Sequence, residues 1–319
     1  MHIQLGYVAL ALGLEKVTSS STVTYRYYKG LTSEQKINKL KQVTASNIRD
    51  LETILQYNDA HHIHFYRLTS SLVPLATHDE VIGWPYRRLF KADFEYMGRL
   101  IKDLGLRVDV HADQFNVINS TNPKVVENTI RNLLYLAYML DDMLYSEGKI
   151  IIHVGSTQGG KQASLERFVT HFEYFPKAIT DKIIIENDDK SFDMLDVLGL
   201  CHRLKVPMVL DVHHQHCHNR GENLHDYIET IFNTWQGDPF IPKIHYSSPK
   251  NTPMDRRHSD FIDAKAFVAF IEKTKAYTTH DYDIMLEAKK KDLALFQLVE
   301  DIKTMDLSWG FLDETTITL

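Results

Sequence analysis

The chain has 319 residues, of which 44% are hydrophobic and 24% charged, ample for a sizeable core and ordinary for a protein in water. Its formal net charge of -6 excludes a generally basic coat for nucleic acid, although a local basic face stays open. Two cysteines outside any Cys-x-x-Cys pair and no apolar run of spanning length exclude a disulfide framework and a membrane helix.

Met1-His-Ile-Gln-Leu-Gly-Tyr7 lacks the basic n-region of a signal peptide and reads straight into a strand, so the expected compartment is the cytoplasm. Residues 3–10 are the first predicted strand. A polar loop over 19–24 follows, then a helix from about residue 32 to 57, capped by Thr32 or Ser33. Residues 62–69 alternate like a second strand, and a loop with Pro74 and His78 comes after it. The helix over 92–104 ends at Gly105, a natural C-cap.

From there the rhythm is regular. Strands at 106–112, 149–155, 181–187, 206–213, 242–247 and 282–288 are followed by helices at 123–146, 161–178, 191–204, 222–235, 263–275 and 289–302. Eight strands alternating with helices predict right-handed parallel crossovers and a (β/α)8 TIM barrel, an α/β single domain. A doubly wound sheet would show a Gly-rich loop after its first strand, and Gly6 and Gly13 are too sparse for one. The barrel is expected over residues 1–303, with 304–319 a C-terminal tail that the sequence gives no role.

Apolar runs end in a His, Asp or Glu at His111, His153, Glu186, Asp211, His245 and Glu287. In such a barrel the C-terminal strand ends converge on one mouth. Any one of these residues alone reads as a hydrogen-bonded strand end or a helix cap. Together they reverse those odds, because several carboxylates buried at one end are costly without a cation. Mixed imidazole and carboxylate donors suit Mn²⁺, Fe²⁺ or Zn²⁺ better than Ca²⁺ or Mg²⁺, and so many donors suggest two or three ions. His78, His214 and His258 lie in adjoining loops. Most histidines of His213-His214-Gln-His216-Cys-His218 are expected to be solvated. Lys243 shares a face with His245, where it is salt-bridged, chemically modified to a carbamate or reaching solvent. Arg87, Arg88, Lys91, Lys161, Lys250, Arg256 and Arg257 are basic residues placed to track phosphates.

An ordered set of segments resembles the UV-damage endonuclease family, relatives of endonuclease IV-type barrels and of sugar isomerases. The set comprises Leu5-Gly-Tyr7, Arg67-Leu-Thr-Ser-Ser-Leu-Val-Pro74 running on to His78, Asp109-Val-His111-Ala-Asp-Gln114-Phe115, and Ile152-His153-Val-Gly155. It continues through Glu186-Asn-Asp-Asp-Lys190, Asp211-Val-His-His214, Lys243-Ile-His245, Arg257-His258-Ser-Asp260 and Leu286-Glu287-Ala-Lys289.

The resemblance implies that His78, His111, His153, Glu186, Asp211, His214, His245, His258 and Glu287 ligate Mn²⁺ ions, with Mg²⁺, Co²⁺ or Zn²⁺ as substitutes. It implies catalytic roles for Lys243, Glu186 and Glu287, with Lys243 open to carboxylation. It also implies a probe at Gln114 and Phe115 that enters DNA at the lesion, with Tyr7, Arg256 and Arg257 contacting DNA. Phe115 keeps the stacking face of the family's frequent tyrosine without the hydroxyl, and within Val8–Lys16 no polar residue aligns with the one expected to contact DNA. The implied activity is incision of double-stranded DNA 5′ to UV photoproducts by a monomer, with abasic sites a further substrate. A sugar isomerase or epimerase and a non-catalytic metal-binding barrel are the rival readings.

Overall fold

Within Lys182–Glu186, side chains alternate between two faces, as a strand requires. Ile183 and Ile185 join the large core cluster under the helices, while Ile184 turns inward to a small cluster with Ile151, Val209 and Trp235. A run apolar on both faces is the mark of a strand buried between a barrel interior and a helix layer. The computed structural model, which describes residues 1–319, has eight parallel strands in such a barrel, each with its outer face under the helix layer. The strands are β1 (His2–Val8), β2 (Phe65–Leu68), β3 (Arg107–His111), β4 (Lys149–His153), β5 (Ile183–Glu186), β6 (Met208–Asp211), β7 (Lys243–Tyr246) and β8 (Tyr282–Leu286). All are parallel in sequential order, and β1 closes the barrel by pairing with both β8 and β2.

The predicted helices form, with differences that have local causes. Thr32 opens the helix Ser33–Ala60 with a reciprocal capping box to Gln35. The helix expected over 161–178 divides into Lys161–Tyr174 and Lys177–Thr180, because Pro176 has no amide to continue it. The helix expected over 222–235 is a 3₁₀ turn, Leu224–Tyr227, leading into the short Ile228–Asn233. The stretch after β6, expected as loop, is the one-and-a-half-turn helix Val212–Cys217, capped by the Asp211 carboxylate on the His214 amide at 2.7 Å.

Residues 304–319 contain two further strands, β9 (Gly310–Phe311) and β10 (Thr316–Thr318). β1 meets β2 only over Gly6–Val8, and β10 pairs antiparallel with the remaining lower half, His2–Gln4. The tail hairpin thus supplies the hydrogen-bond partners that β2 is too short to give. Thr315 adds a bond from its hydroxyl to the His62 carbonyl at 2.6 Å. No helix is long and apolar enough to cross a membrane.

One side of the barrel interior is charged. Arg107 and Asp109 point inward from β3, Lys243 from β7 and Asp283 from β8, all at least nine-tenths buried. Arg107 Nη1 donates to Asp283 Oδ2 at 2.5 Å, and Lys243 Nζ donates to Asp109. These pairs form the floor beneath the mouth.

Candidate metal centre

Six of the nominated residues stand at or next to the last position of a barrel strand, which brings them to one end. Two groups have donor atoms within 4.8 Å of one another: His111, His153 and Glu186, and then Glu186, Asp211, His245 and Glu287. Glu186 belongs to both and is 1% exposed. Around it stand His111 Nε2 at 3.0 Å from Oε2, His153 Nε2 at 3.8 Å from Oε2, His245 Nδ1 at 2.9 Å and His214 Nδ1 at 3.4 Å from Oε1. Burial alone would raise its pKa, but His245 and His153, with the His111 hydrogen bond, hold it well below the usual carboxylate range.

Three imidazoles are locked in one orientation from behind. A backbone carbonyl only accepts, so the nitrogen facing it must carry the proton. His111 Nδ1 gives its proton to the Ala112 carbonyl at 2.7 Å, His214 Nδ1 to Asn187 at 2.9 Å, and His258 Nδ1 to Glu287 at 2.8 Å. In the neutral ring each Nε2 then presents a bare lone pair, and that of His111 is aimed at a carboxylate. Two lone pairs facing each other repel unless a proton or a cation lies between them. Histidines whose second nitrogen is held by a carbonyl are the usual supporting shell of a metal site.

The carboxylates agree. Asp211 is wholly buried and its Oδ2 has no hydrogen-bond partner, and Nδ1 of His153 and of His245 are likewise unpartnered. Although His245 Nδ1 is near Glu186, it is off the line a hydrogen bond needs. Burial pushes the Asp211 carboxyl up to about 8. His214 would be lowered by its own burial, but Asp211, Glu186 and Glu287 lift it to about 9. Orphaned buried oxygens and nitrogens converging on one point fit a divalent cation of the imidazole-and-carboxylate class.

A scan against protein-family models matches UV-endonuclease UvdE over residues 3–308. The chain belongs to that family. Membership supports a nuclease acting in the repair of UV damage. Among curated relatives, the UV DNA damage endonuclease of Halalkalibacterium halodurans is 36% identical over 308 residues, 96% of each chain. That of a Bacillus cereus strain is 36% identical over 306 residues, again 96% of each. The crystal structure of SacUVDE superposes with a TM-score of 0.84 at 32% identity, covering 95% of this chain and 98% of that one. Endonuclease IV from Thermus thermophilus, at 11% identity over 95% of this chain and 100% of that one and a TM-score of 0.53, shares the fold.

Within this UvdE-family chain the other nominated residues are dispersed. His78 does not join the cluster: its ring stacks on Tyr25 at 4.1 Å between centroids, and its Nδ1 accepts from the Glu80 amide at 3.2 Å. Tyr7 is turned into the helix layer, 0% exposed, with its hydroxyl donating to Asn58 at 2.7 Å, so it offers no surface at the mouth. Gln114 and Phe115 project from the loop after β3, Phe115 being 75% exposed. Beside Gln114 lies a cavity of about 350 Å³, also lined by His153, His214, Asp188 and Lys190.

Several basic residues are held by acids. Arg87 is paired with Asp142, Lys91 with Glu95, Lys161 with Asp196, Arg257 with Asp255, and Arg256 lies 3.5 Å from Asp189. Lys250 and Arg88 are exposed. In the run after Asp211, His213 and Gln215 are buried and His216 is exposed. Lys243 is 0% exposed and pairs with Asp109, which removes the solvent-reaching alternative. Burial lowers its pKa to about 8 even with that partner.

Sequence reasoning did not nominate Asp109, the partner of Lys243, or Asn187, whose side chain bonds both the amide and the carbonyl of Asp211 at 2.8 and 3.0 Å. It also passed over Arg67, which touches Glu287 and His245. For Asp109 the available signal was a charged residue two places before His111 on β3; Asn187 directly follows Glu186 beyond the end of β5, and Arg67 on β2 is remote in sequence from every nominated ligand.

Proposed function

We propose that the chain is a metal-dependent endonuclease that incises double-stranded DNA 5′ to UV photoproducts, cyclobutane pyrimidine dimers and 6-4 photoproducts, leaving a 3′-hydroxyl and a 5′-phosphate. The observation that carries it is the Glu186 cluster with its carbonyl-locked histidines, in a chain whose whole length matches the family. His111, His153, Glu186, Asp211, His214, His245, His258 and Glu287 would hold two or three ions, Mn²⁺ first among them, with His78 joining only if its loop moves. Such ions supply a water of lowered pKa and neutralise charge on the leaving oxygen.

The protein's own part is to position and exclude. Glu186 and Glu287 place negative charge at a buried point, and the backbone carbonyls behind His111, His214 and His258 keep their rings from turning. Lys243 is read as the ammonium partner of Asp109, since a carbamate on its Nζ would require that carboxylate to turn away. Gln114 and Phe115 are read as the wedge that holds the strands apart at the lesion, where stacking is already weak. Phe115 is exposed enough for that work. Arg256 and Arg257 would reach phosphates by leaving Asp189 and Asp255. Every proposed ligand comes from one barrel, so one chain suffices.

The test is an end-labelled duplex carrying one defined photoproduct, with protein stripped by chelation and reloaded with Mn²⁺. The expected product is a single cut on the 5′ side of the photoproduct, extendable by a polymerase and absent in chelator. A cut on the 3′ side, or one that persists without metal, overturns the proposal. Cleavage of abasic duplex alone would move the chain to the abasic-site reading.

A further inference from the structure

An arginine at the mouth of a nuclease invites reading as a phosphate clamp. Arg67 cannot be one, because it is only 4% exposed. It is the third residue of β2 and points inward beneath the cluster. Its Nη1 donates to Glu287 Oε1 at 2.5 Å, its Nη2 lies 2.6 Å from His245 Nε2, and its Nε is 3.5 Å from Asp109 Oδ1. A guanidinium has five donors and no acceptor and stays charged at any working pH. Glu287 Oε1 and His245 Nε2 are therefore fixed as acceptors, while the approach to Asp109 is an ion pair without a hydrogen bond.

The consequences fall on the donor atoms left over. With Oε1 of Glu287 taken from below, Oε2 is that carboxylate's open oxygen, and it lies 3.8 Å from His258 Nδ1. With Nε2 of His245 accepting from the guanidinium, the neutral ring carries its proton on Nδ1, the nitrogen on the cluster side, and binding an ion there displaces that proton. The charge count points the same way. Apart from the Arg107–Asp283 pair, the cations set against the buried Glu186, Asp211 and Asp109 and the half-buried Glu287 are Arg67 and Lys243. Lys243 is occupied with Asp109, so Arg67 is the cation that reaches the level of the ligands.

We propose that Arg67 is a positioning residue of the metal centre, a built-in cation that binds Glu287 and His245 from beneath and fixes which atom of each faces the ions. This rests on the metal-dependent reading above. Removing a group that orients metal ligands typically lowers metal affinity by about 10–100-fold.

The experiment compares wild type with Arg67→Met and Arg67→Lys, following free Mn²⁺ by electron paramagnetic resonance during titration without DNA. Thermal melts in chelator and the KM and kcat for nicking irradiated plasmid are measured beside it. Arg67→Met is expected to bind Mn²⁺ at least about tenfold more weakly, with Arg67→Lys between it and wild type because lysine restores the charge but not the fork. In nicking, kcat falls while KM for DNA holds, since a buried side chain makes no DNA contact. If the Met variant does not fold, the Lys variant carries the test through the same affinity loss. Wild-type Mn²⁺ affinity in the folded variants, with only a lowered melting temperature, would make Arg67 a structural ion-pair partner and overturn the proposal. A raised KM at unchanged metal affinity would overturn it in favour of a DNA contact. Absence of Mn²⁺ binding by wild type itself would instead remove the metal-dependent reading on which it rests.

Discussion

Lys243→Met tests whether the lysine under the cluster is an ammonium paired with Asp109. The side chains are 0% and 2% exposed, and removing one partner of such a buried pair typically destabilises by about 3–5 kcal/mol because the other charge is stranded. Arg67 Nε, 3.5 Å from Asp109, remains as partial compensation, so the lower end applies, about 3 kcal/mol. Unfolding entropy near about 2.1 cal/mol/K per residue over 319 residues converts that to a fall in Tm of about 4–5 °C. Differential scanning calorimetry of the chelated protein reads it directly. The control is Lys243→Met combined with Asp109→Leu, which removes both charges and recovers at least half of the loss, since an apolar pair of similar volume is often as stable as a buried ion pair. If Lys243→Met melts within about 1 °C of wild type, or the double variant is worse than the single, Lys243 does not pair with Asp109 as an ammonium. Solution carbon-13 spectra in labelled bicarbonate would then be expected to show a carbamate.

Phe115→Ala is expected to leave stability within about 0.5 kcal/mol, as befits an exposed side chain, and to weaken binding to irradiated duplex by the ~1–3 kcal/mol of one stacked base. Equal loss on undamaged duplex would refute a lesion-directed wedge. Gly98→Ala places a Cβ 1.4 Å from the Met143 carbonyl oxygen, so it should destabilise by ~1–3 kcal/mol or more with Mn²⁺ affinity intact, and a neutral melt would refute the packing between these segments. Metal loading is pH-dependent with a defined sign. Asp211, raised by burial to about 8, must lose its proton to serve as a ligand, so Mn²⁺ affinity climbs as pH rises toward about 8 and binding releases protons. The metal-free fold runs the other way: a carboxyl raised from ~3.9 binds more protons folded than unfolded, so stability falls as pH rises through that window. Calorimetry in buffers of different ionisation enthalpy checks the proton release, and a pH-independent affinity would contradict it.

The eight barrel strands were legible as short apolar or alternating runs set between helical stretches, most plainly in the β-branched Ile183–Glu186, and the strand ends gave Glu186, Asp211, His245 and Glu287 directly. Strand periodicity also put Lys243 and His245 on one face. What periodicity does not give is a partner. Asp109 lies on β3 and Lys243 on β7, and Arg67 meets Glu287 across 220 positions, contacts that exist only once the barrel closes. The same limit applies to Asn187, which reads as a turn residue until its amide is seen bridging to Asp211. His78 lies in a loop whose path is set by Tyr25 and Glu80 rather than by a strand. The tail was left without a role although Thr315–Thr318 is β-branched, because a three-residue strand matters only where β2 falls short beside β1.

The central claim, that this buried imidazole and carboxylate cluster cleaves UV-damaged DNA through bound metal, is tested most directly by nicking of supercoiled plasmid. Irradiated and unirradiated plasmid are incubated with chelated protein and with protein reloaded with Mn²⁺. The account predicts relaxed circles only where irradiation and Mn²⁺ are both present, and their loss in Glu186→Gln. Nicking that ignores irradiation, or that survives chelation, would contradict it.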